Sequence, residues 1–186
     1  KKQKYTQVIV SEVERVNSLI VTLLDLSALE SGAASLNISW FDFVELVETV
    51  AGRLLIDAPD TDFELQYELP EQKAFVRTDQ RRMEQVLDNL IVNAKKNVYP
   101  SGVLRLELTV DDGALHFSIF NQGRPIPESD LPKIWTKFYR DSGAEYSGSG
   151  LGLSIVAQIL SMQNLPYGVE NQAGGVRFYF SIPVTE

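Results

Sequence analysis

The spacing of apolar and polar residues changes several times along the 186-residue chain, and each change marks an element. Residues 4–30 contain no Gly or Pro, and Ile9, Val13, Val16, Ile20, Leu23 and Ser27 alternate spacings of four and three. This is a heptad seam, broken only at Ser27 and widened by Leu19, Leu24 and Leu26. It predicts a helix about 40 Å long at about 1.5 Å per residue. One helix cannot bury its own seam. The pattern points to an intermolecular bundle, with packing on the chain's own domain as the alternative. "SGAAS", residues 31–35, reads as a helix stop and short linker.

A second unit begins near Trp40. Asp42 with Glu45 resembles a capping pair before the helical "VELVETVAGRLL". "DFELQYEL" (62–69) alternates as a strand, "KAFVR" (73–77) is a short second strand, and 79–96 is helical. "VLRLELTV" and "ALHFSIFN" flank "DDG", a hairpin signal, and "YGVEN" and "VRFYFSIP" flank "QAGG" as another. Residues 130–139 read as a short helix after a Pro-rich turn, and 153–162 as a helix entered through glycines. Mixed helices and hairpins give an α+β fold, most simply one sheet with helices on one face.

Composition narrows the function. A net charge of -8 argues against a nucleic-acid partner, whose footprint is basic, but permits an anionic small ligand at a locally basic site. With no cysteine, disulfides, thiolate metal sites and thiol catalysis are excluded. No run reaches the roughly 18 apolar residues of a membrane span, and no signal peptide is visible. The opening "KKQKYTQ" lacks a starting Met, so the chain is expected to be part of something longer.

Three places carry chemistry. On the helix 79–96, Met83, Val86, Leu87, Leu90, Ile91 and Ala94 form one apolar stripe. At roughly 100° per residue, Arg82, Gln85, Asn89, Asn93 and Lys96 fall in a band about 80° wide along its border. Amide oxygens suit Mg²⁺, which takes few protein ligands and completes its shell with phosphate and water, and Lys96 suits a phosphate. A solvated helix face is the plain alternative. In "HFSIFNQGRPIP", Leu115, Phe117, Ile119 and Asn121 share one strand face, so Asn121 ends the strand pointing inward beside the turn at Gly123. A buried amide needs partners, either local backbone or a ligand edge offering donor and acceptor, such as adenine. In "YSGSGLGLSIV", Gly148, Gly150 and Gly152 precede a helix without the P-loop Lys or the dinucleotide fingerprint spacing. Their bare amides favour an anion at the helix N-terminus, and they allow the segment 141–147 to swing as a lid. A plain loop into a buried helix is the alternative.

In this order the three places resemble the ATP-binding domain of sensor histidine kinases, within the Bergerat-fold ATPases. "RRMEQVLDNLIVNAKKN" is similar to the asparagine box, and "NQGRPIPESDLPKIWTKFYR" to the first glycine box with the phenylalanine box. "GSGLGLSIV" is similar to the second glycine box, and "LLDLSALESG" to the end of the second dimerisation helix. The resemblance implies a two-layer α/β sandwich with a mixed sheet, preceded by a dimerisation helix. The implied domains are 1–31 for that helix, 32–39 for a linker and 40–186 for the catalytic domain. It further implies ATP and Mg²⁺ as cofactors, Asn93 as the metal ligand, and Asn89, Lys96, Asn121, Gly123, Tyr139, Arg140, Gly148, Gly150, Leu151 and Gly152 as ATP-binding residues. The implied reaction passes the γ-phosphoryl group to a histidine and then to a response regulator. The implied setting is a homodimer in the cytoplasmic part of a membrane-anchored sensor.

Some residues depart from the family pattern. Asn121 stands for an Asp, Pro125 for the second Gly of the first glycine box, and Asn97 where an aromatic or His often lies beside the base. The acceptor histidine is absent, because the chain's one histidine, His116, reads as an ordinary strand residue. No catalytic residue is therefore expected in this chain, which should not phosphorylate itself. A degenerate, non-ATP-binding dimer scaffold is the alternative. A gyrase- or chaperone-type hydrolase would need a glutamate base where Asn89 stands.

Overall fold

The computed structural model describes residues 2–56, 62–139 and 149–184, and in it the chain divides into two compact units, 1–35 and 36–186. The first unit is the helix α1 (Lys2–Glu30). Its heptad positions Ile9, Val13, Val16, Ile20 and Leu23 are exposed. Among the described residues, no helix is long and apolar enough to cross a membrane.

The second unit runs β1 (Ser39–Asp42), α2 (Phe43–Ala51), β2 (Phe63–Glu68), β3 (Phe75–Thr78), α3 (Gln80–Asn97), β4 (Gly102–Asp111), β5 (Ala114–Gln122), α4 (Gly152–Met162), β6 (Tyr167–Gln172) and β7 (Gly175–Pro183). Five strands form one mixed sheet in the order β2-β4-β5-β7-β6, with only β2 and β4 parallel. β1 and β3 form a separate antiparallel pair. The α+β reading with helices on one face therefore holds. Strand β1 was not foreseen, because four residues with one buried apolar side chain carry no usable periodicity.

Alternation along the strands explains the single covered face. Leu104, Leu106 and Leu108 of β4, Leu115, Phe117 and Ile119 of β5, and Val176, Phe178, Phe180 and Ile182 of β7 all point into the core. Phe117 stacks on Phe180 with centroids 4.9 Å apart, and Phe43 of α2 meets Phe180 edge-on at 6.0 Å. The apolar stripe of α3 is fully buried. The opposite face of the sheet is polar, with His116 Nδ1 hydrogen-bonded to Ser181 Oγ at 2.7 Å, as an ordinary strand residue would be.

Local chemistry sets the element ends. The Asp42 carboxylate caps α2 by accepting from the Val44 amide and also accepts from the Ala74 amide, tying α2 to the start of β3. Asp79 caps α3 through the Arg82 amide. The "DDG" hairpin turns at Asp112 (φ 47) and Gly113 (φ 74), a left-handed pair suited to the twist of the strands. After Ala51, α2 widens into a π-helical turn over Gly52–Ile56.

The helix expected over 130–139 is not formed. Residues 128–138 make successive hydrogen-bonded turns, including Leu131 N to Pro127 O, Ile134 N to Asp130 O and Thr136 N to Lys133 O. Pro132 lacks the amide that would continue the ladder, and Phe138 takes φ 60, which no right-handed helix contains. Trp135 anchors the turns edge-on against Tyr167 and Phe178 at 5.0 and 5.8 Å.

Candidate functional site

The site grows from the last turns of α3, the end of β5 and the first turn of α4. On α3, the Asn89 amide nitrogen donates to the Gln85 carbonyl at 2.8 Å. The Asn89 Oδ1 lies against Gly152, 2.7 Å from where a Cβ on that glycine would sit. The absence of a side chain at Gly152 thus lets the N-terminus of α4 close onto the amide row of α3. One turn on, Asn93 receives Asn97 Nδ2 on its carbonyl at 2.8 Å and on Oδ1 at 3.3 Å. Lys96 is exposed in the last turn, where the helix dipole favours a cation.

The row ends against β5. A Cβ on Gly123 would lie 2.3 Å from the Asn97 carbonyl oxygen and 2.9 Å from Asn121 Nδ2, so the turn presses directly on the end of α3. Tyr99 N donates to Gln122 O and Gly123 N to Gly174 O, fixing that turn from both sides. Beneath it Asn121 is 1 % exposed, paired across the ladders with Leu104 and Val176. Neither its Nδ2 nor its Oδ1 finds a hydrogen-bond partner among the described residues. Leaving such a group unmade costs about 1–3 kcal/mol, and no local backbone group among the described residues meets it.

Among the described residues, no side chain caps the N-terminus of α4. Leu151 is buried; its amide donates to Ser149 Oγ at 3.2 Å and its carbonyl accepts from Ser154 Oγ at 2.8 Å. The first amides of the helix are thus available to an anion. Gly150 adopts φ 69 and packs on the backbone of Phe138 and Tyr139, where a Cβ would lie 2.9 Å from Phe138 Cα. Phe138 N donates to Gly150 O at 2.8 Å, so the chain returns to within one hydrogen bond of itself on either side of 139–149. Arg140, Gly148 and the expected lid 141–147 lie outside the described residues. Tyr139 is the last described residue before that segment. Its hydroxyl donates to Asp130 Oδ2 at 3.0 Å, while Lys133 Nζ donates to Oδ1 at 2.8 Å. The Lys133 ammonium first, and then the Tyr139 hydroxyl, hold the Asp130 carboxyl below its ordinary range.

Asn89, Asn93, Asn97, Gly123 and Asn121 on one side, and Gly152, Leu151 and Gly150 on the other, therefore form one continuous constellation. The residues fit a nucleotide on two counts: a buried amide with free donor and acceptor atoms, and glycines whose missing side chains hold an uncapped helix start beside an amide row. Sequence reading missed Asn171, whose Nδ2 donates to Ile126 O at 2.7 Å and whose Oδ1 accepts from Ile126 N at 2.9 Å. This pair of hydrogen bonds steadies the turn that Pro125 stiffens. Nothing local marks it, since the partners are 45 residues apart. Asp88 pairs with Arg53 at 2.6 Å, so this neighbouring carboxylate is not placed to stand in for Asn89 as a base for water.

Comparison with known proteins places this constellation in context. Residues 78–186 match the family described as histidine kinase-, DNA gyrase B- and HSP90-like ATPase. The chain is 28% identical over 189 residues to the sensor histidine kinase WalK of Bacillus subtilis, covering 98% of this chain and 31% of that protein. It thus spans about a third of the length of the curated relatives it matches. Among solved structures, the Acinetobacter baumannii histidine kinase AdeS aligns with a TM-score of 0.79 at 26% identity, over 97% of this chain and 84% of that one. Histidine kinase ThkA, solved in complex with response regulator protein TrrA, aligns with a TM-score of 0.77 at 25% identity, over 98% of this chain and 51% of that one.

Proposed function

The chain belongs to the histidine kinase-, DNA gyrase B- and HSP90-like ATPase family, and from that premise we propose that it is the ATP-binding catalytic portion of a two-component sensor histidine kinase. The observation that carries this reading is the Asn121 amide, buried at the end of the α3 amide row with no partner for either polar atom among the described residues. In the proposed role its Oδ1 accepts from the adenine amino group and its Nδ2 donates to a ring nitrogen. Asn93 supplies the oxygen for Mg²⁺, Lys96 the countercharge for phosphate, and the first amides of α4 the remaining phosphate contacts. Bound Mg²⁺ would neutralise charge on the β- and γ-phosphates.

The transfer itself needs positioning more than covalent chemistry from this chain. A histidine ring nitrogen on a dimerisation and phosphotransfer domain attacks the γ-phosphorus, the bond to the β–γ bridging oxygen breaks, and ADP leaves. The phosphoryl group then passes to a response-regulator aspartate, a step supported by ThkA having been solved with such a regulator. α1 serves in this reading as the second dimerisation helix of a homodimer, and the parent protein is a membrane-anchored sensor with this part in the cytoplasm. The degenerate-scaffold alternative leaves the unpartnered Asn121 amide without a purpose.

The test is equilibrium binding of a fluorescent ATP analogue with and without Mg²⁺. Micromolar to submillimolar binding is expected, and none at millimolar nucleotide would overturn the reading. Asn93→Ala should weaken the Mg²⁺-dependent part of that affinity about 10- to 100-fold. The fold should survive, because alanine is the better helix former by up to about 0.7 kcal/mol; an unchanged Mg²⁺ dependence would remove Asn93 from the metal site. Incubated with γ-labelled ATP, the 186-residue chain should remain unlabelled. A separate phosphotransfer domain bearing its histidine should take up label when added. Label on His116 would refute its assignment as a structural strand residue.

A further inference from the structure

At the far ends of α3 and α4 from the nucleotide constellation lies a second concavity, a groove of about 600 Å³. That volume falls within the range of small-molecule sites, about 300–1,000 Å³. Its walls are mixed: Ile38, Trp40, Met162 and Pro183 give it an apolar side, and Gln163 and Asn164 a neutral polar one. Trp40 is 52% exposed, and its β-ladder partner is Arg77, so an indole and a guanidinium stand side by side at the rim. The chain carries 25 acidic residues against 17 basic ones, yet among the described residues no carboxylate lines the groove and Arg77 is the one charged side chain that does. Thr78, also in the lining, is 3% exposed, and its hydroxyl finds no partner among the described residues.

We infer that this groove is a binding site for a small amphiphilic carboxylate with a flat apolar body. Charge selects the headgroup: a guanidinium forms paired, charge-assisted hydrogen bonds with a carboxylate, whereas an ammonium gains no such pair and is repelled by Arg77. The walls select the body, since an aromatic ring buries area against Trp40 and the aliphatic side chains that a polar ligand would leave wet. The site shares no residue with the proposed nucleotide site.

The experiment titrates the 186-residue chain with 2-naphthylacetate, the neutral 2-naphthylacetamide and the cationic 2-(2-naphthyl)ethylamine, following backbone amide shifts by NMR and tryptophan fluorescence. The carboxylate should move amides around 36–40, 76–79 and 162–165 and quench Trp40. It should bind about tenfold or more tighter than the amide, as loss of a charge-assisted contact implies, with the amine weakest. Arg77→Gln, a change at an exposed side chain, should bring the carboxylate down to the amide's affinity, leaving ATP-analogue binding and the melting temperature as in the parent. Equal binding of all three probes, shifts centred elsewhere, no shifts at millimolar probe, or an Arg77→Gln variant that binds carboxylate undiminished would each overturn the inference. If the ATP analogue fails to bind while the carboxylate titration succeeds, only the nucleotide reading falls.

Discussion

Replacing Asn121 with leucine is expected to stabilise the nucleotide-free protein while abolishing nucleotide binding. Asparagine and leucine branch at the same atom with the same number of heavy atoms, although the two methyl groups are bulkier than the amide and give back part of the gain as tighter packing against Leu104 and Val176. Both amide atoms are buried without partners among the described residues. Exchanging them for methyl groups removes an unmet desolvation cost of about 1–3 kcal/mol. In a protein of this size 1 kcal/mol corresponds to roughly 2–4 °C of melting temperature, so thermal unfolding should rise by several degrees. Binding moves the other way. A site that reads a base through a buried donor and acceptor loses both at once, and the base's own polar edge then faces methyl groups. The affinity should fall about 100-fold or more. Opposed signs make the result diagnostic. A melting temperature that falls would mean the amide is satisfied in the folded protein, and an unchanged affinity would mean that it does not read the base.

Much of this site was legible in the sequence because it rests on two periodicities. Strand parity placed Asn121 on the face of Leu115, Phe117 and Ile119, and the ladder register bears that placement out. Helical spacing put Asn89 and Asn93 along the border of a stripe that proves fully buried. Parity and spacing are local, and they failed where distant partners decide. The turns of 128–138 owe their shape to Trp135 packing on Tyr167 and Phe178, and to a backbone reversal at Phe138 held by Gly150. A ten-residue window with one proline could not distinguish them from a helix. Asn171 reads as one more residue of an edge strand until the fold lays Ile126 beside it. The groove at Trp40 was invisible for the same reason, its walls being drawn from β1, β3, α4 and β7.

Gly123 tests whether the two halves of the constellation must touch. Its φ lies outside the positive region, so alanine meets no backbone penalty there; the obstacle is space. A Cβ would sit 2.3 Å from a main-chain oxygen, that of Asn97, and main chain cannot rotate away as a side-chain tip can. Gly123→Ala must therefore separate the β5 turn from the end of α3. Overpacking of this kind costs about 1–3 kcal/mol, and it pulls on Asn97, whose side chain bonds Asn93. Stability and nucleotide affinity should fall together, with binding measured well below the melting point to keep the two separable. Gly52→Ala is the matching control. Gly52 has right-handed helical angles and open space around its missing Cβ, so alanine there should add about 0.4–1 kcal/mol and leave affinity alone. If Gly123→Ala also melts and binds like the parent, the contact between turn and helix is dispensable, and the Asn121 amide and the Asn93 carboxamide belong to independent features rather than to one pocket.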